Sequence, residues 1–351
     1  MNKDNTVAQP FDFQTYYHGR TVLLTGGAGC IGSNLTRALA EVGAERIIIL
    51  DDLSSAYSWN VPNLPGVEFV EGDILDEALV NRLMDHGVSV VYHLAALFAN
   101  QNSIDHPRRD LEVNGLGTLK LLELARDRRI EKFIFASSGC SVYGSKAPLP
   151  LTEDYVSLHL DTPYQITKLL GELYCNFFFN YYHVPVVRAR FFNVYGPGEV
   201  PGKYRNVIPN FIYRAMRHEP LTITGTGEET RDFTYVTDIV DGLLRLGAHP
   251  AAVGEAVNLA SERETTVAWL AGYINDKIGN AAGIVHTERR DWDQIIRRRA
   301  SVGKGRTLVG YDPNTPMSEG LDATIAWVQE NWERVEAGAR FAGERAAATA
   351  S

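Results

Sequence analysis

Thr21-Val-Leu-Leu-Thr25, followed by Gly26-Gly-Ala-Gly-Cys-Ile-Gly32, is the stretch that decides how this chain folds. A short apolar, β-rich run enters a glycine-rich turn, and the turn opens an amphipathic segment that continues through Val42. Gly26, Gly29 and Gly32 recur at every third position. Glycine suits such a place because a Cβ would hold the backbone away from a pyrophosphate, and a tight strand-to-helix turn uses uncommon dihedrals. The helix N-terminus then offers amide donors and dipole charge to an anion. A glycine triplet alone is a weak signal. Between a strand and a helix, within the first β-α-β unit, it predicts a dinucleotide site that includes Cys30 and Ile31.

Outward from this turn, Arg46-Ile-Ile-Ile-Leu50 ends in Asp51-Asp52, roughly 20 residues past Gly32. A carboxylate at that strand tip accepts the adenine-ribose hydroxyls and repels a 2′-phosphate. No Arg follows closely, so NAD is expected rather than NADP. Asp51 is the first candidate and Asp52 the alternative. Asp73, in Glu71-Gly-Asp-Ile74, is either a partner for the adenine amino group or a solvated turn residue. Further strand candidates are Val67–Val70, Val88–Leu94, Lys132–Ala136 and Val184–Arg190, most of them separated by segments of helical length. Such alternation predicts parallel β-α-β units, hence an α/β, Rossmann-type doubly wound parallel sheet. After about residue 191 Pro and Gly become frequent, which predicts a smaller mixed α/β substrate-binding lobe. The boundaries read as an N-terminal extension at 1–19, the nucleotide-binding domain at 20–190 with 232–260 returning to it, the smaller lobe at 191–231 and 261–335, and a flexible tail at 336–351.

The 351 residues carry 34 Lys+Arg against 43 Asp+Glu, a formal charge of −9, with 45% hydrophobic residues. That is a globular balance and excludes disordered, collagen-like and disulfide-stapled classes. With no sustained basic stripe, nucleic acid is excluded as the main partner. Cys30, Cys140 and Cys175 are far apart and form no C-x-x-C pair, which argues against a zinc knuckle and fits a reducing cytoplasm. No metal is expected. The N-terminus is polar, without the apolar core of a signal peptide, and the longest mostly apolar run, Val88–Ala99, is too short to span a bilayer. A soluble cytoplasmic protein with no membrane partner is expected.

Tyr164-Gln-Ile-Thr-Lys168 places a phenol and an ammonium one helical turn apart on one face. The pattern is common by itself. Here it lies downstream of a nucleotide-binding turn and of a strand ending in Ala136-Ser-Ser-Gly139, and strand C-termini are where ligands sit in a doubly wound sheet. A tyrosine serving as a base near neutrality needs its pKa lowered by roughly 3 units from 10. A nearby Lys ammonium supplies about that much, and an oxidised nicotinamide adds to it.

Taken together, TGGAGCIG, the Asp-tipped second strand, GDI, HLAA (His93 to Ala96), VNGLGT (Val113 to Thr118), FASS…VYG, YQITK, RFFNVYGPG and RDFTYVTD resemble the extended short-chain dehydrogenase/reductase family. More narrowly they are similar to its NAD-dependent nucleotide-sugar epimerase/dehydratase branch, over about residues 20–335. The resemblance implies Tyr164 as catalytic base and acid, Lys168 holding the nicotinamide ribose and lowering the phenol pKa, and Ser138 bonding the sugar hydroxyl that is oxidised. It implies Leu94, Ala95, Ala96, Ile74 and Asn114 around the cofactor. It also implies Asn193, Val207 and Arg231 on the substrate, with Arg290 and Asp293 as an R-x-x-D pair for phosphate and ribose. Arg suits that work because its planar fork meets phosphate oxygens in pairs; an ordinary ion pair with Asp232 or Glu229 is the other reading of Arg231. One departure stands out. Counted forward from the strand, the catalytic hydroxyl is Ser138; counted back from Val142-Tyr-Gly144 the slot falls on Gly139, so the loop holds an extra residue. Ser137 and Ser141 stay open as alternatives.

In the family, dehydration uses an Asp-Glu pair after the Ser/Thr, and decarboxylation a Glu just before VYG. Here the loop reads Gly139-Cys-Ser141, without a carboxylate. A missing general acid or base costs about 10²–10⁴ in rate. The expected activity is therefore C4 epimerisation of a nucleoside-diphosphate sugar, a UDP-hexose or UDP-hexuronate, through a transient 4-keto intermediate. A dehydratase, a decarboxylase or a non-catalytic NAD(H)-binding sensor are the alternatives. Arg188, Arg190, Lys203 and Arg205 are candidates to meet a uronate carboxylate, while Arg297-Arg-Arg299 reads as a surface run. The helix from about Pro163 to Tyr182 is apolar on more than one side, which, with the helix at Gly117–Arg126, predicts a homodimer.

Overall fold

The computed structural model describes residues 12–293, 295–339 and 341. Seven strands are built from the apolar runs: β1 Thr21–Thr25, β2 Arg46–Asp51, β3 Val67–Glu71, β4 Val88–His93, β5 Lys132–Ser138, β6 Val186–Phe191 and β7 Ala256–Leu259. They form one sheet in the order β7-β6-β5-β4-β1-β2-β3, parallel throughout. The chain winds outward from β1 to β3, then restarts beside β1 at β4 and winds the other way. This is a Rossmann-type doubly wound α/β fold, and a cleft opens where the strand order reverses, beyond the C-terminal ends of β1 and β4. Six of the seven strands are the sequence-predicted ones, with ends shifted by at most two residues.

Both faces of the sheet are covered, which is why runs such as Ile47–Leu50 are apolar without alternation. One face packs on helix α1 (Cys30–Glu41) through Leu35 and Leu39, the other on helices α2 (Thr118–Asp127) and α3 (Pro163–Tyr182) through Leu121, Leu122, Cys175 and Phe178. A third cluster, away from the sheet, gathers Ile208, Phe211, Leu221, Ile223, Leu270, Ile274, Leu321 and Ile325. The loop after β2 is tied to the C-terminal helices: Trp59 stacks between Tyr57 and Trp327, and the Tyr57 hydroxyl donates to the Gly338 carbonyl.

The ends of the chain differ from the sequence reading. Within the segment read as an unpatterned lead-in, Asp12 caps a turn of helix at Phe13–Tyr16. Tyr17 is fully buried there, its hydroxyl 2.5 Å from that of Tyr92 and donating to the Leu244 carbonyl on helix α4 (Val236–Ala248). Tyr92 in turn donates to Leu243. An aromatic anchor of this kind leaves no periodic signature. The segment read as a tail from residue 336 begins inside the helix Trp332–Gly338, with Val335 and Ala339 buried; residues 340 and 342–351 lie outside the described part, as do residues 1–11. No described helix is long and apolar enough to cross a membrane.

Candidate active site

The glycines of the turn are required for different reasons. Gly26 has φ +73°, and a Cβ there would sit 2.6 Å from the Ala95 nitrogen, so it lets β1 and β4 close together at the switch point. A Cβ on Gly32 would meet the Gly27 Cα at 2.5 Å, which seats α1 against the turn. At Gly29 a Cβ would face open space, with nothing nearer than the Gly26 carbonyl oxygen at 3.5 Å. The middle glycine thus leaves room for a ligand that approaches the backbone.

The cleft beyond this turn has a volume of about 350 Å³. Gly26, Gly29, Cys30, Ile31 and Gly32 line it together with Asp51, Asp52, Asp73, Ile74, Leu94, Ala95, Ala96, Ser138, Tyr164, Lys168 and Asn193. Asn114 stands behind the wall: its Oδ1 accepts from the Leu97 amide at 2.8 Å. At the adenosine end, Asp51 accepts from the Ala28 and Leu53 amides, both at 3.0 Å, and burial raises its carboxyl above the ordinary range. Asp73 is held by Arg109 at 2.6 Å. Burial works to raise it, but the Arg109 bond and charge outweigh that and leave it lowered. Arg109, whose guanidinium also lies 3.9 Å from Asp52, comes from a helix that the sequence did not connect with this end of the cleft.

At the other end, α3 presents Tyr164 and Lys168 against the tip of β5. The Tyr164 ring meets Phe98 edge-on at 5.9 Å. Lys168 Nζ donates to the Ala136 carbonyl at 2.8 Å and lies 5.7 Å from the Tyr164 ring centre. The expected lowering of the phenol is absent from the chain alone. Burial first, then the charges of Asp110 and Cys140, push Tyr164 upward, and burial pulls Lys168 down to about 8. His93 is neutral by burial, at about 3, with its two ring nitrogens bonded to Thr25 and Thr118, so it is a structural member of the switch point.

The three serines separate. Ser137 donates to Glu172 at 2.5 Å, in a buried pair that Arg190 completes with two further bonds. Ser141 donates to Ser138 at 2.9 Å. The residues after Ser138 form a helical turn, Gly139–Val142. A Cβ at Gly139 would collide with the Phe192 ring, so no hydroxyl can be placed in that slot.

The remaining expected substrate residues lie off the cleft wall. Arg231 is paired with Asp293, both oxygens at 3.1 Å, and this pairing, not one with Asp232 or Glu229, is its ion pair. Arg290 is exposed, its guanidinium 5.6 Å over the Trp292 ring, and Val207 packs against the third core cluster at the start of a helix. Among the proposed uronate partners, Arg190 is consumed by Glu172, Arg188 donates to the Gly254 carbonyl, and Lys203 pairs with Asp105; Arg205 lines the cleft beside Glu199 and Cys30, at the glycine turn. Arg298, read as part of a surface run, is 2% exposed and donates to the Gly139 carbonyl at 2.8 Å. Its exposed neighbours in sequence hide it. Glu199 was also missed: it is buried in the cleft wall, pushed up to about 7 chiefly by burial, with Oε2 unpartnered.

A doubly wound sheet, a bare glycine cradle at the switch point and a Tyr/Lys turn at the tip of β5 define a dinucleotide-binding protein of the short-chain dehydrogenase/reductase type. The chain belongs to the NAD dependent epimerase/dehydratase family, whose model matches residues 22–260. NAD is thus its cofactor, and Gly29 and Asp51 offer the cradle and carboxylate it needs. An epimerase of the methanogen Methanothermobacter thermautotrophicus is 54% identical, with TM-score 0.93, over 94% of this chain and 98% of that one. The Bordetella bronchiseptica enzyme WbmF, solved with NAD+ and UDP, is 37% identical over 92% and 96%, with TM-score 0.81. A putative UDP-glucose 4-epimerase of Methanocaldococcus jannaschii is 34% identical over 88% of this chain and 99% of its own. UDP-glucuronic acid decarboxylases are also among the relatives.

Proposed function

We propose that this chain inverts C4 of a UDP-hexose or UDP-hexuronate through a transient 4-keto sugar. One observation carries the reading. Among the described residues that line the cleft, the carboxylates are Asp51, Asp52, Asp73 and Glu199, and none belongs to the loop after Ser138. Dehydration and decarboxylation each need a positioned acid or base at that loop; epimerisation does not. NAD, when bound, would supply the hydride acceptor and donor, with the 4-keto sugar turning its other face before the hydride is returned. Tyr164 takes the proton of the 4-hydroxyl and gives it back, Lys168 holds a positive charge beside the phenol, and Ser138 orients the sugar oxygen. Arg231 and Asp293, already joined, grip the diphosphate and the nucleoside ribose. The UDP bound by WbmF and the 4-epimerase names among the relatives support the substrate class.

The purified protein, incubated with UDP- and dTDP-sugars, is expected to yield a C4-inverted sugar by NMR. A 4-keto-6-deoxy product would mean a dehydratase, a pentose a decarboxylase, and no product with bound NAD a sensor. The serine assignment has its own test. Ser138→Ala is expected to lower kcat by about 10² or more, Ser141→Ala by less than about tenfold. The reverse order would move the role to Ser141.

A second copy of this chain is the partner expected on α3. Leu173, Phe177 and Tyr181, one turn apart, are 56%, 47% and 68% exposed, and Phe177 stacks on Tyr181 at 5.5 Å. Leu111 and Leu116, at the start of the neighbouring helical segment, extend the same kind of surface. Such apolar rows are uncommon on a lone surface and suit a self-complementary two-fold contact. Light scattering at micromolar concentration should give twice the chain mass; a monomeric mass removes the dimer.

A further inference from the structure

The segment Gly196–Glu199 is fastened onto the glycine turn by side chains of the first β-α unit and of the loop after β2. Asn34 donates to the Pro197 carbonyl at 2.9 Å, and Asn60 Nδ2 donates to the carbonyls of Ala28 and Gly198 at 2.9 and 3.2 Å. Cys30, the first residue of α1, has its Sγ 3.4 Å from the Pro197 oxygen. Gly198 has φ +97°, and a Cβ there would stand 3.2 Å from the Cys30 Cα, so the approach to the helix end needs a bare backbone. Glu199, the next residue, is thereby fixed in the cleft wall beside the N-terminus of α1. It is 7% exposed, its Oε1 accepts from Asn206 Nδ2 at 3.0 Å, and its Oε2 is buried without a partner. Among the described residues it forms no ion pair within 4 Å. A buried polar atom left unpaired is costly and calls for a reason. The place supplies one, because a helix N-terminus at the switch point receives the pyrophosphate of a dinucleotide. A carboxylate would repel that anion, whereas a carboxylic acid gives it a hydrogen bond.

We propose that Glu199 is a cofactor-binding residue that, as the neutral acid, donates its Oε2 proton to a pyrophosphate oxygen of the dinucleotide. The segment Gly196–Glu199 is then the wall of the phosphate site that faces the glycine turn. The groups around Glu199 are compatible with an acid there. Burial pushes its carboxyl up to about 7, outweighing the Arg205 charge and the side-chain and backbone amides of Asn206, which favour the ionised form. On α1, burial raises the Cys30 thiol as well and keeps it neutral. Asn34 and Asn60 carry no charge, and Arg205 is the cation that shares this part of the wall. The sign of the pH dependence follows. A bound pyrophosphate favours the protonated acid further, so binding draws in a proton wherever the free carboxyl is ionised, and affinity falls as pH rises through about 7.

The test reads binding and needs no turnover. NAD is titrated calorimetrically into the full chain, freed of bound dinucleotide, at about pH 6 and about pH 8, in buffers of different ionisation enthalpy so that proton uptake is counted. The dissociation constant is expected to rise about tenfold between the two, with net proton uptake at the higher pH. ADP-ribose, which has the pyrophosphate without the positive ring, should show the same rise. Glu199→Gln keeps a donor and cannot ionise, so its affinity is expected to lack this pH dependence and its binding this proton uptake; comparison with wild type cancels the other carboxylates of the cleft. Glu199→Ala should bind NAD about tenfold more weakly than wild type at about pH 6, the scale of one bond to a charged acceptor. Should that variant not fold, the near-isosteric Glu199→Gln carries the test. Equal pH dependence in wild type and Glu199→Gln overturns the proposal, as does wild-type affinity in Glu199→Ala. A rise with NAD that ADP-ribose does not share overturns it too, because the contact would then be at the ring. No sugar enters these measurements, so a failure here leaves the C4 reading untouched, and a failure of that reading leaves this one.

Discussion

Tyr164→Phe is expected to lose turnover by about 10²–10⁴-fold while the protein keeps its dinucleotide and its melting temperature. The ring stays in its edge-on contact with Phe98, so packing is preserved and only the hydroxyl is lost. The bases beside it cannot stand in for it, and Glu199 faces Cys30 at the glycine turn. His93 is engaged through both nitrogens, and Lys168 is turned to the Ala136 carbonyl. The check is a product assay at saturating sugar together with the absorbance of bound cofactor. Turnover within tenfold of wild type would remove the phenol from the mechanism.

The largest expected loss of stability comes from splitting Arg190 and Glu172. The two are 2% and 3% exposed, joined at 2.9 and 2.8 Å, and they also hold Ser137 and the Tyr143 hydroxyl. Arg190→Met leaves the Glu172 carboxylate buried without a cation, at a cost of about 3–5 kcal/mol. Replacing both by apolar residues of similar volume recovers much of that, because the desolvation penalty disappears with the charges. Denaturant unfolding at a fixed dinucleotide concentration measures it. The pair ties α3 to β6, so cofactor exchange should also quicken in the single variant. A single variant that costs less than about 1 kcal/mol would show that water or a neighbour rescues the carboxylate.

The sheet was readable because strands covered on both faces need unbroken apolar runs, and six such runs stand between helical segments. The cofactor end was readable because the glycine spacing and the Asp51 tip are local demands of one β-α turn. What stayed hidden depends on contacts between distant segments. Arg298 sits between two exposed arginines, and only the Gly139 carbonyl, 159 positions away, makes it a buried group. Asp110 shows in the sequence only as a carboxylate one helical turn before Asn114. Arg109 reaches the adenosine end from a helix with no glycine signal. The protonation of Tyr164 follows from the burial of the whole α3–β5 junction, which no motif encodes. The Gly139 departure was visible, but its reason was not, since it required the place of the Phe192 ring.

The two phenols joined at Tyr17 and Tyr92 have a meaning for how the chain is made. Both are anchored to carbonyls of Leu243 and Leu244, so each phenol is sealed by a segment 227 and 151 positions further along the chain, respectively. Until then the side of α1 that meets α4 stays uncovered. Nascent chains are therefore expected to expose an apolar surface until α4 is made, and co-expression with a holdase chaperone should raise the yield of folded protein.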